Sequence, residues 1–581
     1  MSTVTAYENL VDALADAPSH KAFVTLWKSD NDVVSVSFGE FRRLAELKAN
    51  YFREKGLESG DRIILIMPQS IDLMAAFVGA MMLGAVPSIL AFPNSKVEPR
   101  KYMFGLSGVS ANLKARLVVL DASFPSHLLN CVSADENAQI VRGFDDPLVT
   151  DSTPVLGSAI DSRSLAFIQH SSGTTGLQKG VALSHGAVLR HLDNLREAVE
   201  LRDSDCIYSW LPLYHDMGLV GCFMFPMVHH IPIVMQSPTD WVMQPATMLK
   251  LITEYKCTLA WVPNFAFQFL ARRVFPEDRL ACNLSSLRCL FNCSEPVRAQ
   301  SMDEFLAAFR PCGVRAGAVL SSYGLAENVF VATLSRPREG PKRIWVDRDV
   351  LQEERTALPV HEKSENALCL VSSGRPLPGT KLRIVSPEGE DLPEGKIGEI
   401  LVHSDYLFDG YYNRPDLTLS GLRDGWHWTG DLGFCLNDNL YAIGRKKDMI
   451  IVAGKNIYPQ DVEEIAFSHP SIHDGRAVAF GLYNPALGTE DIFVVAEVAN
   501  EADIKNSNLI ARAIRNMIVA ELGVTVSAVY VKPAGWIIKS TAGKPARSST
   551  RDKLLAEHPE QFRDPVNSPA PLRTRIEVAG G

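Results

Sequence analysis

Apolar residues in this chain follow two alternating patterns. Phe41–Lys55 places them at helical spacing, whereas Arg62–Met67 is a short continuous apolar run of strand length. Leu73–Leu83 then predicts a helix, Val86–Ala91 a strand, and Leu117–Leu120 another strand. The alternation recurs from Ser209 to Leu320. Helices are expected at Pro245–Tyr255, Phe265–Arg272 and Arg298–Phe309, and strands at Leu259–Val262 and Cys289–Asn292. Strands alternating with helices argue for mostly parallel sheets covered by helices, here in two doubly wound α/β subdomains. From about Ser373 the turns become rich in Gly, Pro and Asp around Lys381–Val385 and Gly398–His403, which predicts a β-rich subdomain. A small, mobile α+β domain is expected after Arg445. The expected organisation is therefore α/β, with residues 1–446 forming a large N-terminal domain and residues 447–581 a C-terminal one. The proline-containing tail beyond Glu557 is expected to be loosely held.

The uncharged stretch Leu73–Phe92 runs for 20 residues, long enough to span a bilayer. Gly84 and Pro87 divide it, so it predicts a buried helix–strand unit instead. A length of 581 residues implies more than one domain. The formal charge of −9 argues against a nucleic-acid partner. Ten cysteines are scattered through the chain; Cys289 and Cys293 lie closest, but no second pair completes a zinc site. Reduced cysteines in apolar runs, such as Cys222, together with a polar N-terminus, point to a cytoplasmic protein.

Candidate chemistry concentrates first in His170–Gly180, His-Ser-Ser-Gly-Thr-Thr-Gly-Leu-Gln-Lys-Gly. Its glycines let backbone N–H groups converge, its hydroxyls add donors, and Lys179 adds a compact charge, a combination that suits a polyphosphate. The bland alternative is a solvated turn between strands. No Gly-Lys pair in the chain precedes Ser or Thr, so this is not a Walker loop. Further motifs follow: Ser209–Gly218 with its His215-Asp216 pair, Asn292–Val297, Ser321–Asn328, and Trp428–Gly433, where Asp431 is expected in a tight turn able to grip ribose hydroxyls. Tyr323 offers a flat face for a purine, and Glu327 a hard oxygen for magnesium or, equally, a helix-start carboxylate. Lys544 lies in a Gly-rich loop that on its own would be merely solvated.

In order, Ser-Ser-Gly-Thr-Thr-Gly-x-x-Lys-Gly, Tyr-Gly-Leu-Ala-Glu, Thr-Gly-Asp, Gly-Arg-x-Lys-Asp and Gly-Lys resemble the adenylate-forming superfamily over nearly the whole chain. Within it, Trp210–Leu219, Pro263–Phe267, Ser373–Gly379 and Tyr458–Glu463 most resemble the fatty acyl-AMP ligases. The resemblance implies ATP-dependent activation of a fatty acid to an acyl-adenylate with release of pyrophosphate. Transfer to the phosphopantetheine thiol of an acyl carrier protein would follow. The alternatives are an acyl-CoA synthetase and a non-catalytic nucleotide- or carrier-binding homologue.

The same resemblance implies residue roles. Ser171, Ser172, Gly173, Thr174, Thr175, Gly176 and Lys179 would hold the β- and γ-phosphates. Ser294, Glu295 and Pro296 would contact adenine, with Tyr323 stacking on it and Ser322, Gly324, Leu325 and Ala326 completing the nucleotide site. Glu327 would hold Mg²⁺, Asp431 the ribose hydroxyls, and Arg445 the ribose or phosphates. Lys447 would be the hinge, Lys544 the catalytic lysine, and His215 would stand near the reacting carboxylate. Trp210, Met217, Phe225, Phe265 and Phe269 are candidates for the acyl pocket or, equally, for the core. The long Asn328–Ser373 interval matches an insertion that restrains the C-terminal domain in the ligases. Gln178, Pro545 and the Cys293–Ser294 pair depart from the family pattern.

Overall fold

The computed structural model describes residues 7–30, 32–93, 99–133, 138–144, 160–170, 178–452, 455–484, 487–540 and 543–559. The chain divides into two compact units, Met1–Lys446 and Lys447–Gly581.

The first unit is built on a nine-stranded sheet. Its parallel core runs in the spatial order Val319–Gly324, Cys289–Cys293, Leu259–Pro263, Ile207–Ser209, Ile233–Gln236, Ala22–Ser29. These strands are short and almost wholly apolar because helices cover both faces. The early Ala22–Ser29 strand crosses to pair with Ile233–Gln236, so the sheet draws on both halves of the chain. A second parallel sheet has the order Val86–Ile89, Arg62–Ile66, Leu117–Leu120, Gln139–Arg142.

The uncharged stretch resolves into the helix Ile71–Met82 and the strand Val86–Ile89. Ser70 caps the helix by accepting from the Leu73 N–H. Gly79 lets this helix approach Phe38–Glu54 closely, since a Cβ there would lie 2.5 Å from the Ala45 carbonyl oxygen. Among the described residues no helix is long and apolar enough to cross a membrane.

The β-rich part is a five-stranded sheet containing Thr380–Val385, Gly398–Ser404, Trp426–Leu436 and Asn439–Arg445. Here the structure corrects one expectation. Asp431 lies inside the long Trp426–Leu436 strand, paired with Arg445, not in a tight turn. The irregularity the motif suggested is a local one, with Gly430 at φ +72 and a register shift at Leu432/Gly433. Within the Asn328–Ser373 interval, Arg343–Asp347 pairs antiparallel with Ala367–Val371 around the short helix Arg348–Glu353.

The second unit packs the helices Pro459–Phe467 and Ser507–Leu522 on a three-stranded sheet of Ile472–Asn484, Thr489–Val498 and Val526–Lys532. Ile510, Ile514, Ile518 and Leu522 recur every fourth residue and form the buried stripe of the longer helix.

Candidate functional site

Parallel sheets bind ligands at the carboxyl ends of their strands. At that edge of the nine-stranded sheet the side chains change character from one strand to the next.

At one end the edge is aromatic. Trp210 directly follows Ile207–Ser209. Trp241 lies in the helix Pro238–Met243 after Ile233–Gln236, and Phe265 lies in the helix Asn264–Arg273 after Leu259–Pro263. These three strands are adjacent, so the rings meet. The Trp210 and Trp241 indoles stack at 3.9 Å with planes 5° apart. Phe265 stands edge-on to both at 6.2 and 6.0 Å, and Phe269 is 5.1 Å from Trp241. Trp241 is fully buried, while Phe265 and Phe269 are half-buried. Phe225 is not part of this group; it is buried beside His229 at 4.9 Å and Trp261 at 6.3 Å.

The next strand, Cys289–Cys293, delivers Ser294, whose hydroxyl is 3.9 Å from the Met217 sulfur. Ser294 is exposed and has φ +71, a left-handed conformation that disfavours a non-glycine residue. Glu295 turns its carboxylate onto the Phe265 N–H at 2.9 Å, near the start of the Asn264–Arg273 helix. Pro296 is exposed beside it.

The Val319–Gly324 strand brings up Tyr323, which donates its hydroxyl to Asp431 Oδ2 at 2.7 Å, while Arg445 Nε lies 3.4 Å from Oδ1. Burial raises the Asp431 pKa, and Arg445 and Tyr323 oppose that shift without cancelling it. Burial, then the Asp431 charge, lifts the Tyr323 phenol well above its ordinary range, so it remains a donor. Ser322 is buried and its hydroxyl lacks a partner among the described residues. Gly324 packs where a Cβ would sit 2.4 Å from the Phe330 carbonyl oxygen, and Leu325 donates its N–H to the same oxygen at 2.8 Å. Ala326 and Glu327 begin the short turn Ala326–Asn328.

Glu327 Oε1 accepts the Tyr411 hydroxyl at 2.6 Å, and Lys179 Nζ lies 4.4 Å from the Tyr411 ring centroid. Burial pushes the Glu327 pKa up, but His427, Tyr411 and Lys179 outweigh it and hold the carboxyl below its usual value. His427 is itself buried, which lowers its pKa, so Tyr411 and Lys179 are the stabilising partners that persist at neutral pH. Ser171–Gly176 fall outside the described residues.

His215 is half-buried with its ring 5.4 Å from that of Tyr214. It immediately precedes Asp216, which caps a rare π-helical segment, Met217–Met224. Gly218 and Gly221 permit this packing, since Cβ atoms there would lie 2.3 Å from the Pro212 carbonyl oxygen and 2.5 Å from the Phe330 ring.

In the second unit, Lys447 is exposed at the very start, and Lys544 lies near the start of the last described segment, residues 543–559. Ser540 donates its N–H to the Lys544 carbonyl at 2.7 Å, and Lys539 bridges Pro545. Arg547 follows, ion-paired at 2.7 Å to both Glu463 and Asp448.

Sequence reasoning did not single out Trp241 or Tyr411. Trp241 had one local signal, the capping pattern Ser237-Pro-Thr-Asp240 ahead of it. Tyr411 had none, because its role arises from a contact with residue 327, distant in sequence.

Residues 11–412 match the family of AMP-binding enzymes. The chain is 31% identical over 557 residues to a medium-chain-fatty-acid–[acyl-carrier-protein] ligase of Moorena producens, covering 92% of this chain and 93% of that one. It is 27% identical to a probable long-chain-fatty-acid–AMP ligase of Mycobacterium tuberculosis, covering 94% of this chain and 97% of the other. Among solved structures, one from a study of fatty acyl-adenylate ligases from E. coli and L. pneumophila superposes with a TM-score of 0.88 at 27% identity, over 96% and 99% of the two chains. An L. pneumophila fatty acyl-adenylate ligase in complex with acyl adenylate and pyrophosphate matches with a TM-score of 0.72 at 27% identity, over 95% and 96%.

Proposed function

The chain belongs to the AMP-binding enzymes and, among these adenylate-forming proteins, to the fatty acyl-AMP ligases; from that premise we propose that it activates a fatty acid with ATP and hands the acyl group to a carrier-protein thiol. A carboxylate oxygen attacks the α-phosphorus, and the bond to the β-phosphate bridging oxygen breaks, releasing pyrophosphate. The carrier thiol then attacks the acyl carbonyl, loses its proton, and expels AMP.

The observation that supports this reading best is the graded edge of the main sheet. The aromatic cluster of Trp210, Trp241, Phe265 and Phe269 gives an apolar end for the acyl chain, with Met217 where the two ends meet. Ser294, Glu295, Pro296 and the Ser322–Ala326 segment border the adenine, with Tyr323 beside it. Asp431, with Arg445, is the hydrogen-bond acceptor for the ribose hydroxyls. His215 stands at the carboxylate. Phe225 serves the packing behind the site.

Lys179 and the Ser171–Gly176 segment hold the phosphates. Glu327 fits a magnesium ion, because it is a hard-oxygen ligand kept ionised by its surroundings and Mg²⁺ needs only one or two carboxylates beside phosphate oxygens. The bound ion would neutralise phosphate charge. Lys544 supplies positive charge to the transition state, and Lys447 is the pivot between the two steps.

Fatty-acid-dependent exchange of pyrophosphate into ATP tests the first step. Absence of exchange across acids of all chain lengths would leave only a binding protein. For the second step, product analysis with carrier protein against CoA is decisive. The carrier thioester should dominate, and shortening the segment within residues 341–367 should raise the acyl-CoA share. Unchanged product ratios would remove that segment from acceptor choice.

A further inference from the structure

The aromatic cluster contains an electrostatic anomaly. Trp210 and Trp241 are 5% and 0% exposed, and neither indole N–H has a hydrogen-bond acceptor among the described residues. A buried donor without an acceptor is expensive, and buried tryptophans normally find one. The two indoles stack with centroids 3.9 Å apart, so both donors belong to one aromatic pair. If the cluster served only to bury an alkyl chain, phenylalanine or leucine would do so without stranding two donors.

Location separates this pair from ordinary core packing. Trp261 also has an unmatched N–H, but it lies within the Leu259–Pro263 strand, stacked on Phe291 at 4.8 Å in the interior. Trp210 and Trp241 instead lie beyond the carboxyl ends of adjacent strands, where the acyl end of the site is proposed. Phe265 and Phe269, both half-buried, form the accessible side of their cluster.

From this we infer that the acyl site is built for a carboxylic acid whose tail carries a hydrogen-bond-accepting oxygen (a hydroxyl, keto or phenolic group) rather than for a plain alkyl chain. The inference rests on the adenylate-forming reading and narrows its substrate class. The aromatic faces bury the apolar part of such a tail, and the indole N–H groups receive its oxygen. A plain chain leaves both donors unmatched, so selectivity comes from the donors and not from chain length alone.

The test compares a medium-chain alkanoate with its hydroxylated and keto counterparts and with a hydroxyphenylalkanoate of similar length, in pyrophosphate exchange. Wild-type kcat/KM should favour at least one oxygenated acid by several-fold, up to roughly tenfold, the range one net hydrogen bond supports. Trp241→Phe and Trp210→Phe keep a ring but remove the donor. Either should abolish that preference by lowering kcat/KM for the oxygenated acid several-fold more than for the plain alkanoate, with the melting temperature reporting that each variant folds. A wild-type preference for the plain chain, or equal losses on both kinds of acid, would overturn the inference. Binding is read separately by tryptophan fluorescence in Lys544→Ala protein. Tighter binding of the oxygenated acid there supports the substrate class even if turnover fails, whereas equal or weaker binding counts against it. Loss of exchange with every acid would instead strike the reaction proposed above.

Discussion

Tyr411 is tied to Glu327 by a 2.6 Å hydrogen bond, and the ring of the same tyrosine faces the Lys179 ammonium at 4.4 Å. The contact links the Gly410–Tyr411 strand, the turn after Val319–Gly324 and the lysine that closes the glycine-rich segment. Its consequence is a carboxylate held ionised despite burial. Tyr411→Phe removes one bond to the charged form, so the Glu327 pKa rises. The acidic limb of the pyrophosphate-exchange profile should move up by roughly one to two pH units, with little change near pH 8. Glu327→Gln should lower exchange by about 10²-fold or more at every pH and weaken its dependence on Mg²⁺ concentration. An unshifted limb in Tyr411→Phe would show that the contact does not tune the carboxylate.

Lys544 and Arg547 are close in sequence but should fail differently. Lys544→Ala removes a charge but keeps the backbone bond at this residue, since the Lys544 carbonyl is the group that accepts from the Ser540 N–H. Adenylate formation should fall by roughly 10²–10³-fold, far more than any change in the melting temperature accounts for. Arg547 pairs with Glu463 and Asp448, and Glu463 also accepts the Ala479 N–H at 2.9 Å. Arg547→Ala leaves two carboxylates facing each other in a partly buried place and should destabilise the second unit by about 2–4 kcal/mol. Denaturant melts read alongside exchange assays separate the two outcomes.

Acid should unfold the first unit through its buried histidines. His185 Nδ1 accepts the Leu10 N–H at 3.3 Å, and His191 Nε2 accepts the Val331 N–H at 3.3 Å, so both rings must present an unprotonated nitrogen. Burial lowers His185 to about 4, His191 to about 3, His170 to about 4 and His229 to about 4. Each folded value lies below the unfolded value near 6.5. The unfolded chain therefore binds more protons between these limits, and stability is complete above about pH 6.5 and lost as pH falls toward 4. Each histidine contributes a slope of up to about 1.4 kcal/mol per pH unit. Denaturant midpoints across this range should fall steeply, and His191→Gln should flatten the fall. Midpoints flat between pH 7 and about pH 5 would contradict this account.

Much of this architecture is legible in the chain because short apolar runs of strand length that alternate with helically spaced segments mark the buried strands of a parallel sheet. Leu117–Leu120 and Leu259–Pro263 show the pattern directly. The pairing of Ala22–Ser29 with Ile233–Gln236 is not legible, since period and composition carry no information about which distant strands become neighbours. The site divides in the same way. Tyr323 and Glu327 stand out in the chain by their place after an apolar strand and by the motif resemblance, whereas Tyr411 and Trp241 enter only through long-range contacts. Asp431 shows how a turn-like motif misleads: Thr-Gly-Asp reads as a turn, yet the sheet keeps the strand running and confines the irregularity to Gly430.

Among the described residues of the site's motifs, Ser294 is the one held at positive φ without being glycine. It occupies the first position after the Cys289–Cys293 strand, where the chain must swing away so that Glu295 can reach the Phe265 N–H. A serine there holds a left-handed backbone at a penalty of about 1–2 kcal/mol. Ser294→Gly removes the steric penalty but adds freedom to the unfolded chain worth about 0.5–1 kcal/mol, so the net gain should be up to about 1 kcal/mol. The same freedom loosens the segment proposed to border adenine. The KM for ATP should therefore rise a few-fold with kcat nearly unchanged, because uniform binding of the nucleotide is weakened and not the chemical step. A variant less stable than wild type would mean that the serine side chain, and not the backbone, holds this corner in place.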